Sequence, residues 1–316
     1  MLHNYSDEQL RLAARLYYLD GLPQAEVARF TNVSQAKVSR LLSLARERGI
    51  VRITVEDYQP RNVSLEKELK KGFCLSTVAV IKTAEDLSLE DLRRAVGHFA
   101  GSFIDSMIEA HSTVTISGGR TMRELVQSLP QAPARQLTVV QAMGSVDSSV
   151  SPVDSLELGR TLAHRFGGTF LTINTPAFVP DKKTRDAFLQ LEQIQNVRRR
   201  LSKVDVALVG IGTLQNSVFA ERGVLGRKDV ADLKAAGAVG EMCGRFFDAN
   251  GRECDTQWRD RVISIELEQL RKIPQVVGVI AGSDRCDAIR AAVKGKLLKS
   301  LVIDEAGARA LLGKTI

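Results

Sequence analysis

The chain has 316 residues, with 44 Lys and Arg against 37 Asp and Glu, four His, four Cys and 5% aromatic residues, and 44% of it is hydrophobic. This length and composition indicate a globular protein of more than one domain. No run of eighteen apolar residues occurs, and the N-terminal segment is polar and periodic. We therefore expect neither a membrane-spanning helix nor a secretory signal, and a cytoplasmic protein.

The cysteines are scattered, without a CxxC pair or a histidine at metal-ligand spacing. This spacing argues against a disulfide framework and against a zinc site. We expect no metal and no cofactor, and buried, reduced thiols at the four cysteines, Cys74, Cys243, Cys254 and Cys286.

The N-terminal segment is predicted to begin with two short helices. Apolar residues recur at helical spacing over 10–18, behind Ser6 as a candidate N-cap, and Gly21 provides a stop. A second helix is predicted to begin at Pro23 and to end at Asn32.

A third helix is predicted from the N-cap Ser34 to about Gly49, followed by a short extended strand over 50–55. Residues 57–64 are polar and contain a proline, so they are predicted to be a linker. The sequence thus predicts a domain over 1–56 and a second domain over 65–316.

The second domain is predicted to be α/β. Compact Val- and Ile-rich runs alternate with helical stretches, which is typical of a mostly parallel sheet covered by helices on both faces. The predicted strands are 77–81, 113–117, 137–143, 169–173, 204–211, 276–281 and 301–303. The predicted helices are 65–71, 89–110, 121–129, 154–166, 181–201 and 287–293.

The second and third helices fit a helix-turn-helix. This motif needs a small residue where its helices touch, a turn residue that tolerates positive φ, and buried aliphatic residues on its second helix. Ala28 meets the first requirement, Asn32 the second, and Val38 and Leu41 the third. The sequence therefore predicts a DNA-binding helix-turn-helix, with the third helix entering the major groove.

The basic residues support this prediction by their position. The net charge is +7, and the segment from Arg29 to Arg52 carries six basic residues against one acidic residue. A small helical bundle with a solvated basic face is the alternative. The run 198–200 is typical of a solvated helix end, with a second nucleic-acid patch as its alternative. The residues predicted to contact operator DNA are Gln24, Ser34, Gln35, Lys37, Ser39 and Arg40.

Four stretches resemble the SorC/DeoR family of bacterial sugar-responsive transcriptional regulators. They are LYYLDGLPQAEVARFTNVSQAKVSRLLSLARERGIVRI, VGIGTL, GAVGEMCGRFFDANGREC and VVGVIAGSDRCDAIRAAVKGKLLKSLVIDEAGARALL. The resemblance implies an N-terminal DNA-binding domain and a Rossmann-like effector domain of the type shared by sugar-phosphate isomerases and CoA transferases. It also implies homo-oligomers, dimers or tetramers, that bind operator DNA and respond to a phosphorylated sugar or sugar alcohol.

A glycine turn is the first candidate effector site. Gly119, Arg120 and Thr121 follow a predicted strand and open a helix, so backbone amides and two side chains can donate to a phosphate. An ordinary strand-to-helix turn is the alternative, and the resemblance favours the phosphate. Gly118 departs from the aromatic residue that many members of the family carry.

Other effector-binding residues follow from the resemblance. The turn containing Gly144, Ser145 and Asp147 would contact sugar hydroxyls, and it lacks a lysine that could form a Schiff base. Glu241 would accept bonds from the sugar, or would be a structural cap held by backbone amides. Arg285 stands where the family usually has a phosphate-binding lysine. An isomerase-like enzyme with Glu241 as its base is the alternative function, but the sequence offers no acid partner, so we expect no catalysis.

Overall fold

The computed structural model describes residues 5–54 and 58–314. The chain divides into two compact units, Met1–Gln59 and Pro60–Ile316. Among the described residues, no helix is both long and apolar enough to cross a membrane.

The first unit is a small helical bundle. Its helices pack Leu10, Val27 and Val38 into one fully buried core, as the helical spacing of these apolar residues predicts. The helices are α1 (Asp7–Ala14), a π-helical turn (Arg15–Leu19), α2 (Gln24–Thr31) and α3 (Gln35–Glu47).

The turn between α2 and α3 has the predicted geometry. Asn32 adopts a left-handed conformation, with φ 51° and ψ 45°, and the Ser34 hydroxyl caps α3 by accepting the Lys37 amide at 3.3 Å. The predicted strand over 50–55 is wrong for residues 50–54, which form no strand and no β-bridge in the described part of the chain. An extended segment needs a partner strand to satisfy its backbone groups, and this helical unit offers none. Residue 55 lies outside the described residues.

The second unit is built on a seven-stranded, all-parallel sheet in the order β1-β9-β8-β5-β2-β3-β4. A two-stranded antiparallel ribbon, β6-β7, lies apart from it. All seven predicted strands are present in the sheet. The strands are β1 (Thr77–Ile81), β2 (Thr113–Ile116), β3 (Thr138–Gln141), β4 (Thr169–Leu171), β5 (Val206–Val209), β6 (Gly240–Met242), β7 (Arg245–Phe247), β8 (Gln275–Val279) and β9 (Ser300–Asp304).

Helices cover both faces of this sheet. One predicted helix, 181–201, is divided in two, because Leu191 takes an extended conformation (ψ 131°). The helices are α4 (Val63–Phe73), α5 (Leu89–Asp105), α6 (Arg120–Ser128), α7 (Ser155–Arg165), α8 (Lys182–Gln190), α9 (Glu192–Leu201), α10 (Val218–Glu221), α11 (Arg227–Ala235), α12 (Leu267–Lys272), α13 (Cys286–Lys294) and α14 (Glu305–Leu311).

Alternate residues of each strand point to opposite faces, so the sheet contributes residues to two hydrophobic cores. Val80 and Ala207 belong to one buried cluster, and Ala79 and Leu208 belong to the other. The strands therefore read as continuous apolar runs, as expected of a sheet buried on both faces.

The prediction that all four cysteines are buried is wrong for Cys74, which is exposed. Cys74 ends α4 in a left-handed conformation, with φ 53°, at the surface. Cys243 and Cys254 are buried, and Cys286 is partly exposed. Burial raises the pKa of the Cys243 thiol to about 12 and that of the Cys254 thiol to about 11. All four are free thiols.

Candidate functional site

The candidate DNA-binding surface is the outer face of α3. Its inner face carries Val38 and Leu41, which are buried against α1 and α2. Side chains on the opposite face are exposed because they lie on the far side of the same helix. The exposed residues among those predicted to contact DNA are Ser34, Gln35, Ser39 and Arg40.

Two of the basic or polar candidates are less accessible. Lys37 is half-buried, and its ammonium lies 5.4 Å from the centre of the Tyr5 ring. Gln24 is also half-buried, at the start of α2. Arg48 contributes to the basic excess but is tied to the first helix, because it donates to Asp7 at 2.9 Å. Among the residues predicted to contact DNA, Arg40 is therefore the exposed cation.

The second unit has a cavity of about 420 Å³ at the carboxyl ends of β2, β3, β5 and β8. From β2 the chain proceeds through β3 and β4 to one edge of the sheet, and then returns to β5 on the other side of β2. The crevice at such a reversal is where open α/β sheets bind ligands. The cavity is lined by the predicted residues Gly119, Arg120, Thr121, Gly144, Ser145, Glu241 and Arg285.

The turn after β2 presents a helix N-terminus to this cavity. Gly119 has φ 136°, a conformation that favours glycine, and its amide donates to the Val153 carbonyl at 2.8 Å. The Gly119 amide is thus already engaged. The first amides of α6, from Arg120 to Met122, have no acceptor in the described part of the chain.

The backbone around Gly118 leaves no room for an aromatic ring in this turn. A Cβ atom at this position would lie 2.8 Å from the Val153 carbonyl oxygen and 3.2 Å from the Ser155 amide nitrogen. Both neighbours are backbone atoms, so a larger side chain would require the segment around residue 153 to move. Without an aromatic ring at residue 118, the loop before α7 forms this side of the cavity.

Arginines supply most of the charge in the cavity. Arg120 forms two hydrogen bonds to the Glu221 carboxylate, at 2.8 and 3.2 Å. Arg285 donates to the Ala281 carbonyl at 3.0 Å and to Asp284 at 3.2 Å. The charged residues that line the cavity are Arg93, Arg120, Arg123, Arg222 and Arg285 against Asp154, Glu221 and Glu241.

The Glu241 side chain is held by a backbone amide at the wall of the cavity. Its side chain lines the cavity, and its Oε1 accepts the Gly244 amide at 2.5 Å, as a structural cap would. Burial raises the pKa of the Glu241 carboxyl, although bonds from the Gly244 amide and the Ser217 hydroxyl oppose this shift. The carboxyl is therefore fixed in place and can meet a ligand that enters the cavity.

The turn after β3 is held mainly through its backbone. The Gly144 amide donates to the Ile263 carbonyl at 3.1 Å, and the Ser145 amide donates to the Thr175 carbonyl at 2.9 Å. The Ser145 hydroxyl is thus a side-chain donor that this turn can offer to a sugar. Asp147 does not line the cavity, and it accepts from Arg222, which does, at 2.5 Å.

Sequence reasoning missed three of the arginines that line the cavity, namely Arg93, Arg123 and Arg222. None belongs to a glycine turn, and Arg93 comes from α5, which precedes β2. No local pattern marks Arg93 and Arg222, because only the folded sheet brings them to the cavity. Arg123 lies on α6, three residues after Arg120, so the predicted helix could have indicated it.

The comparisons with known proteins cover nearly the whole chain. The family model described as "Putative sugar-binding domain" matches residues 58–313. A sorbitol operon regulator of Klebsiella pneumoniae is 30% identical over 304 residues, which cover 95% of this chain and 96% of that protein. The chain belongs to the SorC-type family of sugar-binding transcriptional regulators. As the sequence predicts, these relatives are named as regulators and not as enzymes.

Other relatives agree over similar lengths. The erythritol catabolism regulatory protein EryD of Brucella abortus is 28% identical over 316 residues, 98% of each chain. The crystal structure of the full-length sorbitol operon regulator SorC from Klebsiella pneumoniae matches with a TM-score of 0.79 and 30% identity, over 98% of this SorC-type regulator and 100% of that chain. These matches agree with the α/β fold and with the helix-turn-helix that the sequence predicts.

Proposed function

We propose that this SorC-type regulator binds operator DNA of a carbohydrate catabolic operon and is controlled by a phosphorylated sugar or sugar alcohol in its Pro60–Ile316 unit. The observation that carries the proposal is the cavity at the reversal of strand order. Arginine side chains and the first amides of α6 line this cavity, together with carboxylates and hydroxyls. Arginine and helix N-termini bind phosphate, whereas Glu241 and Ser145 suit sugar hydroxyls.

The named relatives support the class of effector. Relatives are named for a sorbitol operon, for erythritol catabolism and as a deoxyribonucleoside regulator. No lysine lines the cavity among the described residues, so we propose that the effector binds without a covalent Schiff base. The proposed contacts are Arg120, Thr121 and Arg285 to the phosphate, and Ser145 and Glu241 to the hydroxyls.

We propose that α3 reads the operator. Gln35 would reach base edges, while Ser39 and Arg40 would reach base edges or phosphates. A helix-turn-helix reads two half-sites when it works as a dimer, which supports a homo-oligomer, as a dimer or a tetramer. A regulator of transcription works beside the chromosome, so the proposed location is the bacterial cytoplasm and the partners are DNA and effector.

A thermal-shift screen tests the effector. The purified full chain is heated with phosphorylated sugars and polyols, each beside its unphosphorylated form. A ligand that binds only the folded state raises the melting temperature, so one phosphorylated compound should raise it while its unphosphorylated form does not. The same compound should then change the affinity of the chain for its own promoter DNA at fixed salt.

The same mixtures separate a sensor from an enzyme. A sensor leaves the phosphosugar unchanged, whereas an isomerase converts it to a product that chromatography detects. If no phosphorylated compound shifts the melting temperature or the promoter affinity, the proposal is wrong.

A further inference from the structure

Arg93 stands apart from the other arginines of the cavity. It lies on α5, is half-buried and faces the same cavity as Arg120 and Arg285. Within residues 5–54 and 58–314, no carboxylate or carbonyl pairs with it, whereas the other four arginines each have a carboxylate partner. A half-buried guanidinium without an acceptor is unfavourable, because it has lost water and gained nothing.

The surrounding charges make this position more unfavourable. Burial lowers the pKa of Arg93, and the charges of Arg120 and Arg285 lower it further. The charges of Glu221 and Asp284 act in the opposite direction. Three cations from three different elements thus converge on one region of the cavity. Such a cluster is stabilised when an anion enters it.

Glu221 is a carboxylate that already bonds one cation of this cluster, Arg120. It ends the short helix α10 and binds Arg120 through both of its oxygens. The side chains of both partners remain about half exposed, at 53% for Arg120 and 42% for Glu221. An exposed pair of this kind contributes little to stability, so a stronger anion can replace the carboxylate.

We propose that Arg93 is a third anion-binding residue beside Arg120 and Arg285, and that Glu221 holds this anion site until a phosphate group displaces it. The proposal rests on the proposed function and names the residues that select a phosphate. A phosphate monoester carries more negative charge than a carboxylate and offers three acceptor oxygens. A phosphate can therefore accept hydrogen bonds from Arg93 and Arg120 at once. The Glu221 carboxylate accepts from Arg120 and leaves Arg93 without a bond.

Inorganic phosphate is the probe for this site. Its affinity for the full chain is measured by calorimetry at constant ionic strength, maintained with sodium chloride. Loss of one charge-assisted hydrogen bond should weaken binding by about tenfold or more, so Arg93→Gln should bind phosphate at least that much more weakly. Arg93→Lys should recover part of the affinity, because it restores the charge but not the planar fork.

Arg94→Gln is the matched control. Arg94 is the next residue of the same helix, is exposed, and is paired with Asp91 at 3.0 Å. Its loss should leave phosphate affinity unchanged. Because Arg93 is unpaired before phosphate enters, Arg93→Gln should melt no lower than the wild type without phosphate, which separates a binding defect from a folding defect.

Glu221→Gln tests the displaced carboxylate. Without the competing charge, phosphate should bind several times more tightly than in the wild type. Equal phosphate affinity in Arg93→Gln and the wild type would overturn the role of Arg93, as would no phosphate binding by the wild type. Unchanged or weaker binding in Glu221→Gln would overturn the role of Glu221. These outcomes are distinct from a failure of the proposed function, which would appear as promoter binding that no phosphosugar affects.

Discussion

Replacing Arg120 with alanine separates the contribution of this side chain to ligand binding from its contribution to stability. The side chain is half exposed, and its partner Glu221 is 42% exposed. A surface ion pair of this kind contributes about 0–1 kcal/mol to folding. In a domain of this size, about 1 kcal/mol corresponds to roughly 2–4 °C in melting temperature. Arg120→Ala should therefore melt within a few degrees of the wild type.

The effect on the effector should be much larger. A hydrogen bond from a guanidinium to a phosphate contributes about 1.5–3 kcal/mol. Since each 1.4 kcal/mol is a factor of about ten, the affinity for the phosphorylated effector should fall roughly 10- to 100-fold. Calorimetric titration of the full chain measures this loss, and a mobility shift on promoter DNA measures whether the response to effector weakens in parallel.

Arg160→Ala is the control for this experiment. Arg160 pairs with Glu157 at 2.7 Å on the exposed side of α7, so its removal also breaks a surface ion pair. It does not line the cavity. Its affinity for the effector should match that of the wild type. If Arg120→Ala binds the effector as tightly as Arg160→Ala does, Arg120 does not hold the phosphate and the assigned orientation of the ligand is wrong.

Three further changes test other parts of the chain. Arg40→Ala should weaken promoter binding at every sequence and reduce the slope of affinity against salt by about 1, whereas Arg199→Ala should change neither. Asn32→Val should cost about 1–2 kcal/mol and accelerate amide exchange in α2 and α3, since a β-branched residue resists the left-handed turn, while Asn32→Gly should not. Burial holds the pKa of Glu241 above its usual 4.5. As pH rises, this carboxyl therefore loses its proton at a lower pH in the unfolded chain than in the folded chain. Wild-type stability should therefore fall relative to Glu241→Gln as pH rises above that value, and a relative gain would refute the shift.

The sequence was sufficient for features that depend on local patterns. Apolar spacing predicted α1 to α3, and the residue types at Asn32 and Ser34 predicted the turn between α2 and α3 because few residues suit a left-handed turn or an N-cap. Continuous apolar runs predicted every strand of the parallel sheet. Such signals are short-range, so they survive without knowledge of the fold.

Features that depend on tertiary proximity were missed. The break at Leu191 has no glycine or proline to mark it. The ribbon β6-β7 was missed because a charged residue, Glu241 or Arg245, interrupts the apolar run in each of its strands. Arg93 and Arg222 come from elements far apart along the chain, and only the fold of the sheet brings them to one cavity. For the same reason, the sequence could not reveal that the Gly119 amide is already bonded to Val153.

The exposed thiol of Cys74 has a practical consequence. A maleimide reacts with accessible thiolates, and burial keeps Cys243 and Cys254 protonated and shielded. Burial also raises the pKa of Cys286, but this thiol is partly exposed, and a Cys286→Ala variant removes it as a competitor. One fluorophore would then attach to each chain at a defined position. The number of bleaching steps in single complexes, counted with and without effector, would then give the number of subunits in each complex.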